Sequence, residues 1–382
     1  MRSIAKLMKD WQFTGPDGVT AAVALPHTWN AVDGQDGGND YWRGTCTYRT
    51  SFAAPAFDPA QQQVWLQFEG VNSSAAVLLN GQQLCTHDGG YSTFRAEITE
   101  LLQAENQLTV QVDNSVNDRV YPQKADFTFY GGIYRDVSLL VVNKNHIALG
   151  HFGDTGVKIT SDLKEGSADI QVETLVEGEG TVAVELLDAE DSTVAKGEGA
   201  KASLHLDAPH LWNGVKDPYL YTCIVRLVED GKPVDEVRTK VGIRSFSVDA
   251  KKGFFLNGKP YPLHGVSRHQ DRKGLGNAIT REMHDEDMAL IRELGANTVR
   301  LAHYQHDQYF YDLCDQYGMV VWAEIPYISE HLPNGRENTI SQMKEIQAVN
   351  ACRRDAVAKG MKLEEAMDKW QTMDQLPAEY RS

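Results

Sequence analysis

Arg300, His303, Tyr304 and Glu324 are the residues whose types and spacing could do chemistry. All four fall within one stretch, GANTVRLAHYQHDQYFYDLCDQYGMVVWAEIP, from Gly295 to Pro326. His269 stands upstream in a similar setting, GVSRHQD. Each follows a short apolar run and so sits where a buried strand would end. In parallel α/β barrels the C-terminal ends of strands carry the chemistry. His269 and His303 are each preceded by an arginine (Arg268, Arg300). They lie on separate segments with no carboxylate at ligand spacing, which counts against a zinc site. His87, His146 and His210 have no such setting and read as structural histidines.

The elements that would position these side chains are legible. Thr298 to Ala302 is a β-branched and apolar run, so a buried strand. Phe310, Leu313, Cys314 and Tyr317 recur on one helical face. Gly295 and Gly318 close helices as C′ glycines do, and Met319 to Ala323 is the next strand. Upstream, Thr280 is placed to N-cap a helix whose apolar face is Met288, Ile291 and Leu294. From Phe254 the chain therefore alternates strand and helix, beginning with a hairpin at Asn257-Gly258.

The spacing Asn297, Arg300, His303, Tyr304, Phe310, Tyr311, Asp315, Gly318 resembles the signature of glycoside hydrolase family 2. That family holds β-galactosidases, β-glucuronidases and β-mannosidases. One departure is visible: Gln305 stands where the family usually has proline. The resemblance implies that His269, Arg300, His303 and Glu324 line a sugar site and that the histidines bind hydroxyls more strongly as the ring flattens.

Residues 1–143 read as antiparallel β. Val64, Leu66 and Phe68 alternate with polar neighbours, Asn80-Gly81 is a type I′ hairpin signal, and Ile133 to Val142 reads as one long strand. The opening loops, LPHTWNAVDGQDGGNDYWRG and KADFTFYGGIYRD, resemble those of bacterial family 2 β-galactosidases, whose first domain is a jelly-roll, sugar-binding-like sandwich. Trp29, Tyr41 and Trp42 are candidates for stacking on a sugar; the alternative is loop packing. The resemblance implies that Asp126 reaches into the barrel mouth to bind hydroxyls, in some members beside a sodium ion; the alternative is a turn aspartate capping a backbone N–H. No cofactor is required, and the resemblance allows sodium or magnesium. Residues 144–249 pair strands around EGEG (177–180) and Glu229–Pro233, an immunoglobulin-like β-sandwich. Its LW…PYLY element (Leu211-Trp212, Pro218–Tyr221) also resembles the family.

Composition sets outer bounds. Net charge is −16, from 53 acidic against 37 basic residues, which disfavours nucleic acid or an anionic membrane as partner. The five cysteines are scattered, without a CxxC pair, and no run approaches the roughly 18 apolar residues of a membrane span. The N-terminal residues lack the apolar core of a signal peptide. These features suit a cytoplasmic protein.

The expected architecture is thus two sandwiches, then residues 250–346 as the start of a (β/α)8 TIM barrel, then a divergent helical tail at 347–382. Only 129 residues follow Gly253 (382 − 253), whereas such a barrel takes about 250, and at least about 200. Retaining glycosidases use two carboxyls about 5–5.5 Å apart. The resemblance places both on later barrel strands, so neither catalytic glutamate is identified here. The leading expectation is β-galactosidase-like hydrolysis of terminal β-D-galactosides, with the chain an incomplete enzyme. The alternatives are a β-glucuronidase-like hydrolase, a non-catalytic carbohydrate-binding protein, and an N-terminal fragment that pairs with a complementing C-terminal fragment or with a second copy through its open barrel edge.

Overall fold

The computed structural model describes residues 1–33, 41–149 and 153–349. The expected tail lies largely outside the described residues.

Five strands carry the first domain: β1 (Thr45–Ala53), β2 (Gln62–Phe68), β3 (Ser74–Leu79), β4 (Glu105–Asp113) and β5 (Val137–Asn143). With shorter strands they build a six-stranded and a four-stranded sheet, packed face to face. Alternation along each strand sends one side chain in two to the core. Val64, Leu66 and Phe68 of β2 meet Val77, Leu79, Leu108 and Val110 there, all fully buried. Asn80 and Gly81 both adopt positive φ, as the type I′ reading requires.

The run Ile133 to Val142 is not one strand. Gly132–Ile133 pairs with His27–Thr28 and with Val71–Asn72, whereas β5 pairs with β2 in a different sheet. The chain changes sheets across Tyr134, Arg135 and Asp136. That break frees Arg135 to leave the sandwich and reach the next domain.

The second domain packs a three-stranded sheet, including β6 (Ser167–Thr174), on a four-stranded sheet built around β7 (Thr181–Leu187), β8 (Tyr221–Glu229) and β9 (Lys232–Val241). Its core is separate from the first.

The third region holds three parallel strands in chain order, β10 (Gly265–Arg268), β11 (Thr298–Leu301) and β12 (Val320–Ala323). Helices α1 (Arg281–Glu293) and α2 (Gln308–Tyr317) cover one face, and α3 (Arg336–Val349) follows. Val299, Leu301, Met288, Phe310 and Leu313 make the covered core. The other face carries the row Ser267, Arg300, Trp322, and Trp322 is 66% exposed. A barrel's inner layer is therefore laid open. A cavity of about 600 Å³ runs beside β12, lined by Trp212, Phe246, Phe254, Met319 and Trp322 among others. Among the described residues β12 has no strand on its far side.

Thr280 does occupy the N-cap position of α1, but its side chain makes no capping bond. Its hydroxyl instead meets the Glu282 carboxylate. Asp307 caps α2, accepting from the Tyr309 N–H at 2.9 Å. Gly318 ends α2 at φ +80°, and a Cβ there would lie 2.3 Å from the Gly214 backbone. Beside this contact Arg244 bonds Asp315 at 3.0 Å, and the Trp212 indole N–H donates to the Asp315 carbonyl at 2.8 Å. These contacts fix the second sandwich to α2. Cys46, Cys85, Cys223 and Cys314 are free thiols; Cys352 lies outside the described residues. Among those residues no helix is long and apolar enough to cross a membrane.

Candidate sugar-binding site at the strand ends

The site begins with the period of two along the strands. Ser267 and His269 point to the open face, and Val266 and Arg268 to the helices. Arg268 is accordingly no part of the site. Its guanidinium lies 3.8 Å over the Phe310 ring and bonds Asp287 at 2.6 Å and His284 at 3.0 Å. It ties α1 and α2 to β10.

On the open face, Arg300 grips Glu324 with two bonds of 2.7 and 3.1 Å. His303 Nδ1 lies 3.2 Å from Glu324 Oε2 and 3.2 Å from the Arg300 guanidinium. A bidentate pair of this kind fixes both side chains in one geometry. His269 Nδ1 meets the Tyr304 hydroxyl at 3.2 Å. The Tyr304 ring is itself stacked on Tyr91 of the first domain at 4.1 Å and 7°. The two imidazoles stand 5.4 Å apart, centroid to centroid. Burial holds His269 below its ordinary value, with His303 and Arg300 adding to that and Asp271 and Asp126 opposing it. His269 is thus neutral at pH 7 and can both donate and accept.

The first domain supplies a wall that the sequence alone did not reveal. Phe127 lies parallel to His303 (5.8 Å, 11°) and also meets His269 at 5.1 Å and Tyr304 at 5.6 Å. The available signal was its place next to Asp126. Asp126 is exposed and acts electrostatically on His269. Tyr130, from the same loop, donates to Asp271 at 3.2 Å.

The three opening-loop aromatics divide. Tyr41 meets Phe129 at 6.0 Å, and Phe129 meets Phe127 at 5.5 Å, so Tyr41 connects to the site wall. Trp29 packs on Phe13 and Trp42 (6.2 Å each) and against the sandwich core. A Cβ at Gly131 would fall 2.0 Å from the Trp29 ring, so that glycine is what lets the indole in. Among the described residues no ring contact joins Trp29 or Trp42 to the imidazoles. Nor do the described residues gather three or more His, Cys, Asp or Glu that could hold a metal ion.

Arg135 locks the halves together. Its guanidinium donates to the carbonyls of Gln305 (2.7 Å) and Tyr91 (2.9 Å) and to the Gln270 side chain (3.2 Å).

Two β-sandwiches set against parallel strands, with a polar cluster at the strand ends, make up the architecture of multidomain glycoside hydrolases. Family models agree along the chain. The galactose-binding domain-like model of glycosyl hydrolase 2 matches residues 38–173, the glycosyl hydrolases family 2 model residues 151–244, and that family's TIM barrel domain residues 247–370. The chain belongs to glycosyl hydrolase family 2. It is 39% identical to a β-glucuronidase of Bacteroides fragilis over 84% of this chain and 49% of that one. It is 30% identical to a β-galactosidase of Thermoanaerobacter pseudethanolicus over 80% of this chain and 42% of that one. The crystal structure of an FMN-binding β-glucuronidase from Facaelibacterium prausnitzii L2-6 superposes with a TM-score of 0.90 at 38% identity, covering 96% of this chain and 60% of that one. The chain spans about half the length of the curated relatives it matches.

Proposed function

We propose that this chain forms the sugar-binding side of a retaining β-glycosidase acting on terminal β-D-glucuronides. The observation that carries the reading is the cluster of His269, His303, Arg300 and Glu324 at parallel strand ends, walled by Phe127 and Asp126 from the first sandwich. Neutral imidazole, guanidinium and carboxylate together offer donors and acceptors to vicinal hydroxyls. The Phe127 ring offers a face to C–H groups. Hydrogen bonds of this kind strengthen as a pyranose flattens toward its transition state. The two carboxyls that cleave the bond come from barrel strands beyond β12. Those strands pair with the open β12 edge and cover Trp322. The occupant we assign to that edge is the remainder of the family barrel rather than a second copy of this chain.

The glucuronide choice rests on the curated relatives: those named β-glucuronidase or putative β-glucuronidase reach 39% and 36%, those named β-galactosidase 30% and 31%. Among solved structures the FMN-binding β-glucuronidase and a putative β-galactosidase of Bacteroides fragilis stand level at 38%. One observation favours a β-galactoside instead. Arg300 is already neutralised by Glu324, and Asp126 and Asp271 stand near His269, so a neutral sugar meets less repulsion than a uronate. Calorimetry with methyl β-D-glucuronide and methyl β-D-galactoside separates the two. Turnover of the chromogenic glycosides is then measured before and after co-expression with the C-terminal half of the Bacteroides fragilis relative. The expected result is sugar binding by the chain alone and hydrolysis only in the pair. A folded chain that binds neither sugar rejects the site. Hydrolysis by the chain alone rejects the assignment of the carboxyls to later strands.

A further inference from the structure

A second polar constellation lies where the first sandwich, the loop after β11 and α3 meet. It is separate from the imidazole cluster. Glu69, Tyr91, Thr93, Arg135, Gln305 and Glu345 line a cavity with about 20 Å³ open to the centre of a water-sized sphere. One water needs roughly 10–15 Å³ by that measure, and two to four polar partners. Gln305 is 3% exposed, yet among the described residues neither end of its amide has a protein partner, and the Nε of buried Arg135 is likewise unpartnered there. Two orphaned N–H donors and an orphaned carbonyl around a void of this size are what a water complements. Left dry, each would carry the full desolvation cost of a buried polar group.

We propose that this junction is a built hydration site, in which one water held by Gln305 and Arg135 joins the first sandwich to α3 and to the loop after β11. A bare cation is disfavoured there by the guanidinium, and a bare anion by the two carboxyls. Glu345 anchors the helix side: it accepts from the Thr93 N–H at 2.9 Å and from Ser92. Asn338, about two turns earlier on the same helix, accepts from the Tyr121 N–H at 3.2 Å and donates to the Asp88 carbonyl at 3.2 Å.

The site is proton-linked. Burial pushes Glu345 up to about 7, against hydrogen bonds from Ser92 and Thr93 and the charge of Arg135. Burial also pushes Glu69 up to about 7, reinforced by Asp307 and Asp136 and opposed by Gln67 and Arg135. Both folded values lie above the ordinary 4.5, so the folded junction holds protons that the unfolded chain releases. Its stabilisation is complete below about 4.5 and is lost as pH rises through about 7.

Two measurements on the 382-residue chain test this. A high-resolution crystal structure should show one ordered water within hydrogen-bonding reach of Arg135 Nε and the Gln305 amide. An empty cavity, or those atoms bonded to protein instead, overturns the proposal. Gln305→Leu gives a test by sign. If water is present, leucine strips it of a partner, and α3 amides exchange about 2- to 10-fold faster, the factor of one lost hydrogen bond. If the cavity is dry, leucine removes an orphaned amide and exchange slows or is unchanged, which also overturns it.

Discussion

The first sandwich and the parallel-strand region are built by the same rule and end in opposite states. In both, side chains alternate between faces. In the sandwich the second sheet closes over the apolar face, so Leu66 and Val110 are fully buried. In the parallel region the helices close one face and nothing among the described residues closes the other, so Val299 is fully buried while Trp322, on a neighbouring strand, is 66% exposed. An apolar residue on a strand therefore contributes stability only where a partner layer is present. The open row is also the one that carries Arg300 of the candidate site.

The contrast can be broken most forcefully by cutting into the closed side. Leu66→Ala should cost about 2–5 kcal/mol, read as a lower denaturant midpoint of the sandwich transition. A loss below about 1 kcal/mol would mean that this core is loosely packed. Acid should come next. Burial lowers His27 and His87 in the sandwich and His284 on α1 to about 4. Because these folded values lie below the ordinary 6.5, their contribution is complete above about 6.5 and is lost as pH falls through about 4. Thermal unfolding followed from pH 7 to 4 should show a falling midpoint, three histidines outweighing the opposite contribution of Glu69 and Glu345 over the same window. His87→Gln should flatten it; an unchanged slope would exclude His87 as a source. Phe127→Ala should weaken sugar binding several-fold by calorimetry while leaving the sandwich transition within about 0.5 kcal/mol. Equal loss of both would make Phe127 a packing residue only. Smallest of all, Trp322→Ala should change the stability of this chain by no more than about 0.5 kcal/mol. A larger loss would show that its face is covered in solution.

Much of this arrangement was readable where the determinants are local. Asn80-Gly81, Gly295 and Gly318 mark turns by backbone preference alone, and the apolar periods around Phe310 and Leu66 need no knowledge of partners. The strand break after Ile133 was not readable, because apolar residues continue through it and only the choice of partner sheet divides them. Arg268 looked like a companion of His269 by proximity, yet the period of two turns it to the helices. Phe127 escaped notice because its partners, His269 and His303, are remote in sequence and meet it only once Arg135 has docked the domains. Trp29 and Trp42 have the composition of a binding loop, but the space opened by Gly131 draws the Trp29 indole inward.

The change of sheets at Tyr134–Asp136 bears on how such proteins could be recombined. One short segment ends a sandwich strand, sends Arg135 to the carbonyl of Gln305, and follows directly from the loop that presents Phe127. A chimera that took its barrel from one relative and its opening domain from another would inherit a wall and a floor that had never been fitted to each other. Crossovers that respect the boundaries of the sandwiches would still cut the ligand's surroundings in two. Exchange should succeed only when residues 124–136 travel with the strand ends they face, which makes the opening domain a poor interchangeable module despite its self-contained core.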